Sequence, residues 1–273
     1  MRIGLPSVAM IISGLLFVAY FTMQGPFGAA VLAETAEEAG VRITTKHRDS
    51  ERGFVNYEAS LTMVLKNKRG QKSNREMRFK VIEVDGEGNR SLFVFDRPQD
   101  VKGTAFMVHS HRTKPDDQWL YLPALKRVKR ISSANQSGSF VGSEFSYEDL
   151  GSLEVEKYRH KYLRDESCGN TSCHVVEMTP KNKKSGYSRQ LIWFDKKLFR
   201  IMQVQYFDKK NEHLKTMVQE NHKKYTGNQW RASKVTMQNH LTGKSTVLNW
   251  SDFKFGTDLD LKDFTKNALK RVR

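Results

Sequence analysis

The side chains able to do chemistry are present, but few stand where chemistry would need them. Of eight histidines, only His109 and His111 would share one face of a strand, a spacing that could bring two imidazoles to one metal. His47, His160, His174, His213, His222 and His240 are scattered. No HExxH or comparable run of ligands occurs, so ordinary half-exposed histidines are the expectation, with no metal and no other cofactor. Gly138-Ser139-Phe140-Val141-Gly142 has the glycine spacing of a nucleophile elbow, but its serine is one step early. Glycine loops that cradle phosphate are missing. Glu144, Glu148 and Asp149 could be imagined as paired acids. Helix capping, or salt bridging to the basic stretch 126–130, accounts for Glu148 and Asp149 more simply. The expectation is therefore a protein that is not an enzyme.

The two cysteines, Cys168 and Cys173, are five positions apart, and no second pair exists to complete a zinc site. In an exported chain they would form a disulfide. Closing so short a loop contributes about 2 kcal/mol on the chain-entropy model, so the bridge reads as a pin on a hairpin turn.

What remains is a surplus of aromatic residues, most of them in strands. Phe93, Phe95, Phe106, Trp119, Tyr121, Phe140, Phe145, Tyr147, Phe194 and Tyr206 are the candidates for an apolar ligand-binding surface. A curled sheet lined by such residues either fills itself or leaves a cavity.

The elements that would position them follow from periodicity. Residues 34–56, with Ala39, Val41 and Ile43 among many charges, predict a helix of modest amphipathicity. From Tyr57 the period changes to two. Strands are expected near 59–65, 75–84, 91–96, 103–109, 118–122 and 127–131. A second series follows near 156–163, 173–178, 188–194, 200–207, 214–225, 230–239 and 244–250. Short polar connections such as Asp85-Gly86-Glu87-Gly88-Asn89 and Thr242-Gly243 suit antiparallel hairpins. The pattern is that of one large curled sheet or barrel of roughly a dozen strands.

Two segments break the alternation. Residues 132–151 are rich in Ser and Gly and end in Phe145-Ser146-Tyr147-Glu148-Asp149-Leu150, which predicts a short helix or a lid. Gly138 and Gly142 could supply the backbone freedom for Phe140, Phe145 and Tyr147 to fold over a cavity mouth. Near the C-terminus, Asp260-Leu261-Lys262-Asp263-Phe264 predicts a capped helix with Leu261, Phe264 and Leu269 on one side.

The first 33 residues read as a signal peptide. Arg2 is followed by an apolar run from Val8 to Met23 and then by small residues, with cleavage after Ala33 or after Ala30; an uncleaved anchor is the competing reading. Residues 34–273 would then form one domain, since no Pro-, Gly- or Ser-rich linker divides them. The formal charge is +16, nearly all of it beyond the leader, and densest at Lys126, Arg127, Lys129 and Arg130, at Lys181–Lys184 and in the C-terminal tail. In a cytosolic protein such a balance would suggest nucleic acid. Export points instead to anionic lipid headgroups or an acidic protein surface, or to a basic surface that serves solubility alone. Nucleic acid is not an expected partner.

The run from Asp116 to Ile131 (DDQWLYLPALKRVKRI), with Gly138-Ser139-Phe140 and Gly142 to Leu150 (GSEFSYEDL), resembles the outer-membrane lipoprotein-sorting, or LolA-like, proteins of Gram-negative bacteria. The branch found beside RND-type lipid exporters is the most similar. Lys102-Gly103-Thr104-Ala105, Ser185 to Gln190 and Thr242 to Thr246 extend the likeness over most of residues 34–273. The resemblance implies a mainly β fold: a single half-open antiparallel barrel of about 10–12 strands with a few covering helices, whose concave apolar face holds acyl chains. It implies a monomeric periplasmic carrier for a lipid or the acyl chains of a lipoprotein, with an inner-membrane RND-type transporter and an outer-membrane acceptor as candidate partners. The alternative is a non-catalytic adaptor subunit docked on such a transporter through Lys126, Arg127, Lys129 and Arg130.

Overall fold

Thr35 caps the first helix: its hydroxyl accepts from the Glu38 N–H at 3.2 Å while the Glu38 carboxylate accepts from the Thr35 N–H at 2.9 Å. The helix that follows, α1, spans Ala36–Ser50. The computed structural model describes Met1 and residues 33–272, so the apolar run of the expected leader and the Gly28-Ala29-Ala30 site lie outside the described residues. Within them, no helix is long and apolar enough to cross a membrane.

Ala39, Gly40, Ile43, Thr44 and His47 make the buried stripe of α1, whereas Val41 is exposed. Gly40 is where the helix meets the sheet: a Cβ there would stand 2.9 Å from the backbone nitrogen of Lys161, so only glycine allows this approach. Thr44 and His47 add polar anchors, to His160 at 3.2 Å and to the Phe199 carbonyl at 2.9 Å.

Thirteen strands follow: β1 Asn56–Lys66, β2 Lys72–Ile82, β3 Arg90–Arg97, β4 Ala105–His109, β5 Asp117–Leu122 and β6 Arg127–Ile131, then β7 Tyr158–Cys168, β8 Thr171–Pro180, β9 Arg189–Asp195, β10 Ile201–Phe207, β11 His213–Lys224, β12 Trp230–Asn239 and β13 Ser245–Phe255. They form one antiparallel sheet in the order β6-β5-β4-β3-β2-β1-β13-β12-β11-β10-β9-β8-β7. Each strand has a counterpart among the segments expected from the alternation, and the total is one more than the upper end of the ten to twelve that the resemblance implies. Two up-and-down meanders are thus joined where the first strand pairs with the last, Leu61 opposite Trp250 and Val64 opposite Val247. The open edges are β6 and β7, and residues 132–157 carry the chain from one to the other.

Alternation sorts the side chains into two faces. Phe93, Phe95, Phe106, Val108 and Leu120 point to the concave core, and Leu92, Val94, Met107 and Trp119 to the convex side. Strands β3–β5 are buried on both faces because the C-terminal segment covers the convex one. There, a 3₁₀ turn at Leu261–Phe264, capped by Asp260, leads into α2, Lys266–Leu269. Phe264 and Leu269 are fully buried against Leu92, Val94 and Trp119; Leu261, expected on the same side, faces solvent. Cys168 and Cys173 are bonded across the β7–β8 turn, where Gly169 takes the left-handed conformation.

Candidate functional site

The concave face is divided into a filled half and an open half. Residues 132–151 do the filling. Phe140 N–H donates to the Phe145 carbonyl at 2.7 Å and Ser143 N–H to the Phe140 carbonyl at 2.9 Å, with Ser139 bridged to Ser146. This miniature hairpin turns through Val141 (φ 46°) and Gly142 (φ 77°), the two positive angles that a tight two-residue turn demands. It places Phe140 within 5.2–5.9 Å, between ring centroids, of Phe93, Phe95 and Phe106. Phe140 and Phe145 are only 1% and 3% exposed. Tyr147 packs on Phe106 and Phe140, and its carbonyl accepts from Gln118 Nε2 at 2.9 Å.

The expected lid over a cavity mouth is therefore a plug seated in the core, because its rings find three aromatic partners on β3 and β4. Of the two glycines expected to help, Gly142 takes a positive φ and Gly138 does not.

Polar bonds fix the far end of the plug. Asp149 accepts from the Ser146 N–H at 2.7 Å, from Tyr187 Oη at 2.7 Å and from Lys215 Nζ at 2.7 Å; Lys215 also donates to the Glu144 carbonyl at 3.0 Å. Both members of this ion pair are almost wholly buried. Glu148 accepts from the Gly186 N–H at 2.8 Å. The capping role expected of Asp149 is present, in a capping box with Ser146. The expected salt bridge to 126–130 is not, since β6 exposes its basic side chains while Glu148 and Asp149 turn inward. Of that basic group, Arg130 pairs with Asp117 at 2.5 Å, and Lys126, Arg127 and Lys129 are exposed.

The open half is a cavity of 340 Å³ beside the plug. Its floor is apolar: Ile192 of β9, Ile201, Val204 and Tyr206 of β10, and Met217 of β11. Its walls are polar and come from the end of α1, from residues 148–154 and from the near ends of β11 and β12. Arg231 pairs with Glu51 at 3.1 Å and lies 5.3 Å over the rings of Phe54 and Tyr57. Arg200 pairs with Asp195 at 2.7 Å and covers Trp230 at 4.9 Å. Burial pushes the carboxyls of Glu148 and Glu154 above the usual carboxylate range and holds His47 and His222 below the ordinary imidazole value.

The ten aromatic candidates do not all meet here. Phe93, Phe95, Phe106, Phe140, Phe145 and Phe194 are core of the concave face, and Tyr147 is packed against it. Tyr206 alone among them lines the cavity. Trp119 and Tyr121 stand on the convex side with Phe264 and Leu269, one register step from Leu120, so the cavity reading fails for both. Of the other lining residues, His222 stands in the sequence only as one of the scattered histidines and Trp230 as one of the strand aromatics, while Glu154, Met217 and Arg231 carry no signal of their own. The period-two alternation of β9 to β12 marks the face of those that lie on strands, but nothing in it says which face is inner. His109 and His111 do not act together: His109 Nε2 bonds the Phe264 carbonyl at 2.7 Å, while His111 sits between Glu87 and Asp117 at 3.1 Å each. Among the described residues no cluster of three or more His, Cys, Asp or Glu is placed to hold a metal.

A family model described only as an uncharacterized protein matches residues 87–271. No curated protein matches the chain. Solved structures do. A domain of an outer membrane lipoprotein-sorting protein from Vibrio parahaemolyticus is 49% identical, over 86% of this chain and 100% of that one, with a TM-score of 0.84. A DUF1329 family protein from Desulfovibrio piger is 29% identical over 86% of this chain and 99% of its own, with a TM-score of 0.82. A LolA superfamily protein from Nitrosomonas europaea, 22% identical over 86% of this chain and 99% of its own, shares the fold at a TM-score of 0.66. With 49% of residues identical to the Vibrio domain over 86% of its length, the chain belongs to the outer membrane lipoprotein-sorting family.

Proposed function

We propose that the protein is a non-catalytic periplasmic carrier that holds the acyl chain of a lipid or lipoprotein, without covalent chemistry, in the cavity beside the plug, and passes it between membrane components. The observation that carries this reading is the half-filled concave face: one sheet, built to be apolar inside, closes over its own aromatics on β3–β4 and leaves an apolar floor uncovered on β9–β11. A cavity of this volume lies within the range of small-ligand sites. Each acyl methylene buried there contributes about 0.8 kcal/mol, so a dozen contribute roughly 10 kcal/mol before any cost of rearranging the plug. A longer chain would use more of the concave face by displacing Phe140 and Phe145, which belong to no strand. The name of the Vibrio relative, the disulfide and the leader-like first 33 residues support export to the periplasm.

The test is to purify the protein from a Gram-negative host, extract it with organic solvent and examine the extract by mass spectrometry, and then to titrate the stripped protein with a fluorescent fatty acid. Co-purifying lipid and saturable displacement are expected, with binding weakened at least tenfold in Met217→Trp, which fills the floor. Absence of both lipid and binding overturns the reading.

A second reading has one observation in its favour: Arg127 and Lys129 project from β6, an open edge of the sheet. Such a basic edge would suit docking on an inner-membrane transporter of the RND type. Loss of co-purification at low salt on Arg127→Glu/Lys129→Glu is its expected signature, and unchanged co-purification removes it.

A further inference from the structure

Three polar atoms on the cavity wall lack a hydrogen-bond partner among the described residues. Glu154 is 3% exposed and its Oε2 is unpartnered; His222 Nε2 and Trp230 Nε1 are also buried and unpartnered. All three side chains line the same cavity. The β11–β12 register sets His222 opposite Ala232 and Lys224 opposite Trp230, which makes His222 and Trp230 diagonal neighbours on one face of the sheet. Glu154 reaches the cavity from the connection that leads to β7. Buried polar atoms are nearly always satisfied, and three orphans on the wall of a cavity with an apolar floor mark a place built for a polar group.

The charges around them indicate its kind. The nearby cations are mostly consumed: Arg48 pairs with Asp49 at 2.9 Å, Arg200 with Asp195 at 2.7 Å, Arg231 with Glu51 at 3.1 Å and Lys215 with Asp149 at 2.7 Å. Arg52, partly exposed, is the remaining guanidinium on the wall, and it stands near Glu154. An anion entering here would meet one half-solvated cation against the carboxyls of Glu148 and Glu154. The indole N–H of Trp230 can only donate, while His222 and Glu154 supply acceptor positions, so donor and acceptor are both called for. A hydroxyl or an amide offers both; a phosphate offers acceptors.

We propose that Glu154, His222 and Trp230 form a head-group subsite selecting an acyl chain joined to an uncharged hydroxyl- or amide-bearing head over one joined to a phosphate. This rests on the carrier reading above and narrows it. The acyl tail lies on Ile192, Val204 and Met217 while the head exchanges hydrogen bonds with the wall.

The experiment is competition against a bound fluorescent fatty acid by three lauroyl compounds below their micellar concentrations: monolauroylglycerol, N-lauroylethanolamide and lauroyl lysophosphatidic acid. At least one neutral compound should compete tenfold or more better than the lysophosphatidic acid, and which one leads tells a glyceride head from an amide head. In Trp230→Phe that advantage should fall to threefold or less with the lysophosphatidic acid unchanged. In Glu154→Gln the lysophosphatidic acid should gain affinity. Equal competition by all three, or an advantage untouched in both variants, overturns the subsite and leaves the carrier standing. If neither the fluorescent fatty acid nor any lauroyl compound binds, the carrier falls and the subsite with it.

Discussion

The two halves of the concave face are made of the same strand pattern and end differently. Over β3 and β4, ring meets ring, and the plug brings Phe140 and Phe145 to complete a dry core with Phe93, Phe95 and Phe106. Over β9–β11, Ile192, Val204 and Met217 floor a cavity with no plug over them, and the walls are largely ionic. The difference lies in what crosses the sheet. A connection that carries aromatics fills its half; a helix whose end carries His47, Arg48 and Glu51 leaves its half open. Stability should therefore reside in the first half and ligand contact in the second.

The largest expected effect tests that division. Phe140→Ala should destabilise by about 3–5 kcal/mol, as large-to-small changes in a core do. Met217→Ala, which only widens an existing cavity, should cost about 1 kcal/mol or less. Urea melts of both variants decide it: equal losses would erase the distinction between the halves. Next comes the ion pair that fastens the plug. Lys215→Met strands a buried Asp149 and should cost about 3 kcal/mol, with much of it recovered in the double variant with Asp149→Asn. Cys168→Ser/Cys173→Ser, which lies in neither half, should cost about 2 kcal/mol and leave ligand binding unaltered.

A smaller effect should appear in the pH profile. His47, His109, His160 and His222 are held below their ordinary value of 6.5 by burial. The unfolded chain therefore takes up protons first, and stability present above about pH 6.5 should fall as the pH drops through and below that value. Glu148 and Glu154 act oppositely: raised above 4.5, they favour folding in acid, and that contribution fades as pH rises through their elevated values. Glu154→Gln should accordingly raise stability at neutral pH and steepen the acid loss, read from melting temperatures between pH 5 and 8. Arg127→Glu/Lys129→Glu should be the mildest, within about 0.5 kcal/mol in stability, since both side chains are exposed.

Much of the architecture was legible because it is local. The alternation after Tyr57, the Thr242-Gly243 turn and the short Cys168–Cys173 loop each specify their own geometry, and all are found in the structure. What was not legible depends on contacts between distant segments. Trp119 and Leu120 are adjacent, yet only the arrival of Phe264 on one side and Phe140 on the other decides which is convex and which concave. The partner of Asp149 is Lys215, 66 positions away, while the basic stretch nearer in sequence faces solvent. Glu154 and Trp230 look unremarkable until the sheet curls and brings them to one wall. Strand existence follows from neighbours along the chain; cavity membership follows from which elements cross the sheet.

The pairing of β1 with β13 sets an order of assembly. The meanders β1–β6 and β7–β13 can each zip by hairpin steps between neighbours in sequence, but β1 keeps one bare edge until Ser245–Phe255, the last strand, has emerged. That seam joins residues far apart in the chain, the kind of contact that slows folding and leaves strand edges open to wrong partners. A sheet arranged in this way stays incomplete while the chain is still being delivered end first, and its two halves lock together only once β13 has arrived.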